Sequence, residues 1–104
     1  MAIRNLIFVL IFGLAASSTA MADSFDDGVV AFIKGDSTTA LRLWKPLANN
    51  GHREAQYHIG YMYQTGTGVS KNSKKALYWY NKAASNGHGK ALVLAKVVQR
   101  EMKN

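Results

Sequence analysis

The sequence has 104 residues, with 13 lysines and arginines against 6 aspartates and glutamates, and it contains no cysteine. A chain of this length forms one small domain with a thin margin of stability. The lack of cysteine excludes disulfides, thiolate catalysis, zinc–thiolate sites and iron–sulfur clusters. The formal net charge of +7 favours acidic partners.

The amino terminus has the pattern of a secretory signal peptide. Arg4 precedes an apolar run over residues 6–16, and small residues follow up to Ala22. The alternative is a membrane anchor, but spanning a bilayer takes roughly 20 apolar residues. We therefore expect a signal peptide over residues 1–22, cleavage after Ala22, and a mature chain that begins at Asp23 and is periplasmic or secreted.

Beyond the signal, the periodicity of apolar residues and the cap residues predict five helices. Asp36 and Asn72 are expected to cap two of them, and Pro46 is expected to bend a helix without breaking it. Two core-facing stripes have helical spacing: Ala55, Ile59, Met62 and Tyr63, then Ala76, Tyr80, Ala83 and Ala84. The predicted helices cover residues 25–34, 37–49, 53–65, 73–86 and 89–103.

An internal repeat relates two stretches of the chain. Residues 40–55 match residues 76–91 at an offset of 36, including an Ala-Leu pair and an Asn-Gly-His triplet in each stretch. A period in the mid-thirties is typical of stacked helix–turn–helix units. Gly51 and Gly87 lie where each second helix should end in a left-handed residue.

Residues 55–87 resemble one complete Sel-one-like repeat, a relative of the tetratricopeptide repeat. The resemblance implies an all-α fold, an α–α superhelix in the manner of a tetratricopeptide solenoid. It divides residues 23–104 into a degenerate first unit over 25–51, the complete repeat over 55–87 and a C-terminal helix over 88–104. The repeat-defining residues are Gly60, Gly66, Gly68, Ala76, Trp79, Tyr80, Ala83, Ala84 and Gly87.

In tetratricopeptide-like stacks the first helix of each pair lines a concave surface, so the resemblance implies a binding groove there. Tyrosines at such places offer contact area and a hydroxyl group. The alternative is that Tyr57 and Tyr61 only pack against the neighbouring unit. The predicted groove residues are Tyr57, His58, Tyr61, Gln64 and Thr65.

The histidines do not have the spacing of a metal site. His52 and His88 share one repeat position and so belong to different turns, while His58 has only Glu54 at helical spacing. A zinc site needs three or four ligands. We therefore expect no metal and no cofactor, and His residues that face solvent or stabilise turns.

No catalytic residues are predicted either, because the sequence has no nucleophile elbow and no phosphate loop. Some cysteine-rich relatives of the resembled family have been linked to β-lactam binding or hydrolysis. The absence of cysteine and of a Ser-x-x-Lys arrangement argues against transferring that activity. A β-lactamase-like or peptidoglycan-acting enzyme is the least favoured interpretation.

The second half of the chain is strongly basic. This asymmetry predicts either association with polyanions or anionic membranes, or lysines that only solvate helix faces. Nucleic acid is not an expected partner, because the chain is predicted to be exported and has no nucleic-acid motif. The predicted basic surface consists of Lys71, Lys74, Lys75, Lys82 and Lys90.

The last predicted helix has a stripe that can pack inward, with aliphatic residues left on its other faces. Those residues either complete a local core or form a docking edge for a partner or a second copy. The inward stripe is Ala91, Leu94, Ala95, Val98 and Met102, and the remaining aliphatics are Leu92, Val93 and Val97.

Together, the predicted export and the resemblance favour one function. It is that of a protein–protein interaction module or adaptor of the bacterial cell envelope.

Overall fold

The computed structural model describes residues 24–104, and within this range the chain is helical with no strand. The five helices confirm the predicted number and differ from the predicted bounds by one residue at most. The predicted signal peptide and Asp23 lie outside the described residues. The helices are α1 (24–33), α2 (Ser37–Asn49), α3 (Arg53–Thr65), α4 (Ser73–Ser85) and α5 (Gly89–Lys103).

The two predicted caps are present. The side chain of Asp36 accepts a hydrogen bond from the backbone N–H of Thr39 at 3.2 Å, and Asn72 accepts one from Lys75 at 3.0 Å. Each cap satisfies an N–H group that a helix leaves without a partner in its first turn.

Histidine caps α3 and α5, the two helices that follow the turns between units. The Nδ1 atom of His52 accepts from the N–H of Ala55 at 3.1 Å, and Nδ1 of His88 accepts from Ala91 at 3.2 Å. The repeated His therefore stands at the start of the first helix of the next unit. It stabilises the turn through its Nδ1 atom, which accepts the backbone hydrogen bond.

Glycine reverses the chain after α2 and after α4. Gly51 has a φ of 91° and Gly87 a φ of 92°, the left-handed backbone that glycine adopts at low cost. The preceding N–H groups, those of Asn50 and Asn86, still bond to the last carbonyls of their helices. The predicted helix ends at Gly51 and Gly87 are confirmed.

Pro46 lies within α2, which continues through it to Asn49. The ring is exposed, and the carbonyl of Pro46 accepts a hydrogen bond from Asn50 at 3.2 Å. The prediction that the helix is not broken is confirmed, while the bend remains a prediction.

The core has two adjoining parts. Trp44, Ile59 and Met62 lie in the first, to which α1, α2, α3 and Trp79 of α4 contribute. Tyr80 is the largest residue of the second. Small residues let α4 approach its neighbours closely. The second part is completed by Ala76, Ala83, Ala91, Ala95 and Val98.

The inward stripe of α5 is shorter than predicted. Ala91, Ala95 and Val98 are buried and Leu94 is half-buried, but Met102 is 43% exposed. The prediction was wrong for Met102 because residues 99–104 are all exposed, so the last turn of α5 projects beyond the core.

Candidate functional site

A groove runs between α3 and α5. Its larger cavity has a volume of about 550 Å³. Helix α3 supplies four of the residues predicted for the concave surface, while α5 and the α3–α4 loop supply the rest. The lining residues are Tyr57, Tyr61, Gln64, Thr65, Lys71, Leu94 and Glu101.

A second cavity of about 540 Å³ adjoins the first, because Tyr57 and Leu94 line both. Gly89, Lys90 and Val93 complete the second cavity at the amino-terminal end of α5. The two cavities together form one surface, called here the α3–α5 groove. Its walls combine aromatic rings, aliphatic side chains and two lysines with one glutamate.

Hydrogen bonds and stacking hold the floor of this groove in place. The hydroxyl of Tyr80 in α4 donates to Gln64 Oε1 at 2.6 Å. The rings of Tyr57 and His88 stack with centroids 4.3 Å apart and planes at 14°. Burial, with Tyr57 and Tyr61 nearby, raises the pKa of Tyr80, so its hydroxyl stays a donor.

His58 does not line this groove, which corrects its predicted place. Its ring stacks on Trp44 at a centroid distance of 4.8 Å and lies 5.7 Å from Phe25. The side chain therefore packs against the first unit. Burial lowers the pKa of His58, outweighing the opposing effect of Glu54.

The same positions of successive first helices carry large apolar side chains. The register follows from two glycines, because Gly28 packs on Trp44 in the first unit as Gly60 packs on Tyr80 in the second. Phe25 of α1 then corresponds to Tyr57 and, one repeat later, to Val93. Equivalent positions of the three first helices therefore all carry aromatic or aliphatic side chains: Phe25 and Val29, Tyr57 and Tyr61, Val93 and Val97.

Sequence reasoning missed the contribution of α5 to the groove. It assigned Leu94 to the core and Val93 either to a local core or to a docking edge, yet Leu94 is only half-buried and Val93 is 60% exposed. The repeat offset was the available signal, because it maps Val93 onto Tyr57 and Val97 onto Tyr61.

Glu54 and His88 form a side-chain hydrogen bond between α3 and the start of α5. His88 Nε2 lies 3.2 Å from Glu54 Oε2, while its Nδ1 caps α5. Both ring nitrogens are therefore engaged in contacts that fix the ring against Tyr57. Across the same range, no three His, Asp or Glu side chains come together in a way that could hold a metal ion.

The predicted basic surface is divided among different surroundings. Lys71 and Lys90 line the α3–α5 groove. The ammonium group of Lys75 lies 5.4 Å from the ring centre of Tyr63, and that of Lys82 lies 5.0 Å from the ring centre of Tyr78. Lys74 is exposed on α4.

Membrane spanning was assessed for the part of the chain that the structure describes. None of the helices from α1 to α5 is both long enough and apolar enough to cross a bilayer.

The chain matches the family model described as Sel1 repeat at residues 15–52 and again at residues 53–88. The first match begins inside the predicted signal peptide. The second spans α3, α4 and the turn to α5, and the two together confirm the resemblance to the Sel-one-like family.

Proteins with related sequences match about half of the chain. They include the chitin synthase regulator SKT5 of Saccharomyces cerevisiae, 37% identical over 55% of this chain, and chitin synthase regulatory factor 2 of Schizosaccharomyces pombe, 37% identical over 47%. The DAP3-binding cell death enhancer 1 of Rattus norvegicus is 35% identical over 51%. The matches span only 8% to 10% of these relatives. Among solved structures there is no significant match.

Proposed function

Because the chain belongs to the Sel1 repeat family, we propose that it is an interaction module that holds a segment of a partner protein in the α3–α5 groove. The α3–α5 groove carries this proposal, since two adjoining cavities of about 550 and 540 Å³ share Tyr57 and Leu94. Two relatives are named as regulators and one as a binding protein. These names support binding rather than catalysis as the role of the fold.

The lining of the α3–α5 groove defines the chemistry of the occupant. Tyr61 is 40% exposed and Val93 is 60% exposed, so both offer apolar surface to a ligand. Lys71 and Lys90 stand at different places along the groove and attract carboxylates. The occupant is therefore a peptide segment with bulky apolar side chains next to acidic residues.

We further propose that this module acts in the bacterial cell envelope. The support is the sequence of residues 1–22, whose apolar run and small residues before Asp23 fit export and cleavage. Expression of the full sequence in a bacterial host tests it. Intact mass of the periplasmic product should give Asp23 as the first residue, whereas cytoplasmic chain starting at Met1 would contradict export.

Binding at the α3–α5 groove is tested with a partner isolated by crosslinking and then purified. Tyr61→Ala and Val93→Asp should each weaken binding by about tenfold or more, because both remove contact surface in the groove. Tyr78→Ala is the matched control, since Tyr78 is 53% exposed on α4 and outside the groove. Calorimetry that gives equal affinities for the groove variants and the control would refute the groove.

Binding to polyanions or anionic membranes is the second candidate, and the net charge of +7 supports it. If this candidate is correct, the chain should bind vesicles that contain anionic lipids. That binding should be lost when the salt is raised from about 0.1 M to about 1 M, because salt screens the attraction between exposed charges. The affinity for the vesicles should also be the same for Tyr61→Ala and the parent. Vesicle sedimentation at the two salt concentrations distinguishes it from peptide recognition.

A further inference from the structure

The outer face of α1 is acidic and aliphatic. Asp26, Val30 and Ile33 follow the i, i+4, i+7 spacing of one helix face, and Asp27 lies beside them. Val30 is 49% exposed and Ile33 is 77% exposed. This face, called here the α1 edge, points away from Gly28, the residue that packs on α2.

The outer face of α5 is basic and aliphatic. Leu92, Lys96, Arg100 and Lys103 are exposed and follow the spacing of one helix face, away from buried Ala95. Leu92 is 49% exposed. These four residues are called here the α5 edge.

The repeat explains why both edges are open. Inside the stack, α3 is covered on one side by α2 and on the other by α4. Met62 and Gln56 of α3 are only 0% and 2% exposed, but the equivalent Val30 and Leu92 are each 49% exposed. Within residues 24–104, no helix packs on the outer side of α1 or of α5, and the side chains on those two faces are exposed.

We propose that the α1 edge of one copy of this chain packs against the α5 edge of another copy. Each copy then covers an edge that is exposed in the other. Asp26 and Asp27 meet Lys96 and Arg100 of the other copy, which is a complementarity that steers association. The occupant of both edges is thus a second copy of the chain.

The order of residues fixes an antiparallel arrangement. In α1 the acids precede the aliphatic Val30 and Ile33, whereas in α5 aliphatic Leu92 precedes the cations. Antiparallel packing places the acids of α1 opposite the cations of α5, and the aliphatic residues of the two helices opposite each other. The matched stretch of each helix is about 10 to 12 Å long at 1.5 Å per residue. It also keeps Lys34, at the end of α1, away from Lys103.

Two different edges in contact make a heterologous interface, which leaves one edge free at each end. Such contacts build an open series, or a ring where the rotation between copies closes, and in both cases the assembly grows as the concentration rises. Sedimentation velocity on the exported product of the full sequence should show a mean mass that increases with concentration. Raising the salt from about 0.1 M to about 1 M should reduce it, because the screening length falls from about 10 Å to about 3 Å.

Charge reversal gives the decisive experiment. Asp26→Lys with Asp27→Lys gives a chain with two basic edges, and Lys96→Glu with Arg100→Glu gives one with two acidic edges. Each double variant alone should be monomeric where the parent associates. An equimolar mixture of the two should associate again, because opposite edges now meet.

The matched control is Lys45→Glu with Lys74→Glu, two exposed lysines of α2 and α4, which changes the charge as Lys96→Glu with Arg100→Glu does. This control should associate like the parent, and circular dichroism should show equal helicity for all chains. A parent that stays monomeric at every concentration overturns the proposal, as does association that both reversals leave unchanged. Protection of Leu92 and Ile33 by a different protein on a monomeric chain overturns it too.

Discussion

Gly60 of α3 lies directly against the ring of Tyr80 in α4: a Cβ atom at Gly60 would stand 2.7 Å from Cδ1 and 2.8 Å from Cε1 of that ring. Glycine is needed there for space, since the backbone of Gly60 is helical. The close approach lets the Tyr80 hydroxyl reach Gln64 on the groove side of α3 at 2.6 Å. The same relation between Gly28 and Trp44 holds the first unit together.

Gly60→Ala should therefore destabilise the chain by about 1–3 kcal/mol, the usual cost of overpacking a tight core. This loss occurs although alanine favours a helix by about 1 kcal/mol over glycine. Urea unfolding followed by circular dichroism measures the difference. Gly89→Ala is the control, because Gly89 is also helical but has nothing within 4 Å of an added Cβ. Equal stability of Gly60→Ala and the parent would contradict the packing argument.

The helix bounds could be predicted from the sequence because their signals are local. Asp36 and Asn72 cap the helices that follow them, and Gly51 and Gly87 end helices in left-handed backbone. A cap or a reversal depends on a few neighbouring residues and not on the packing of the stack.

The groove could be predicted only in part, because its walls come from distant helices. The family resemblance placed Tyr57 and Tyr61 on the binding face of α3, but it gave no information on which residues stand opposite. His58 shares that region of α3 yet packs on Trp44, since the aromatic residues of α1 and α2 are close enough to enclose it. Leu94 lines the groove because α3 and α5 stand on opposite sides of it, an arrangement that arises only when the helices pack together.

Gln56 joins the two units through a buried amide. Its Nε2 donates to the carbonyl of Ala48 at 2.9 Å, and its Oε1 accepts from Asn86 at 3.0 Å, while the side chain is 2% exposed. Gln56→Leu should cost about 1–3 kcal/mol, because it removes two hydrogen bonds that each contribute about 0.5–1.5 kcal/mol. The carbonyl of Ala48 keeps its bond from the N–H of Gly51 at 3.1 Å. Thermal unfolding measures the loss.

A double-mutant cycle with Asn86→Ala separates this effect from general packing. The two changes should be non-additive, because they remove the same hydrogen bond. Gln99→Leu is the control, since Gln99 is exposed on α5 and should leave the stability nearly unchanged. Fully additive losses for Gln56→Leu and Asn86→Ala would show that the amide pair contributes nothing.

His88 links the start of α5 to the groove. It caps the helix through Nδ1 and stacks on Tyr57 through its ring. His88→Asn keeps a cap acceptor and should stay close to the parent in stability, whereas His88→Ala should lose about 1 kcal/mol. Both variants should weaken partner binding, because both remove the ring that stacks on Tyr57. Calorimetry measures this affinity, and an unchanged affinity in His88→Asn would rule out a role for the stacking.

The stability of the chain should depend on pH through His58. Burial lowers the pKa of His58 in the folded chain below its ordinary value of 6.5, so the unfolded chain binds more protons as the pH falls through that value. The free energy of unfolding should therefore decrease below about pH 6.5 and level off once the pH is below the folded pKa. Urea unfolding at pH values from about 7.5 to 5 measures this slope.

His58→Phe tests the assignment because it keeps an aromatic ring on Trp44 and removes the titrating group. Its stability should fall less steeply over the same pH range. His52 and His88 are present in both chains, so the difference between the two slopes belongs to His58. The pKa of Asp36 is lowered from 3.8 by its bonds to Thr39, which places its titration below this pH range. Parallel slopes for the parent and His58→Phe would mean that burial of His58 has no influence on its protonation.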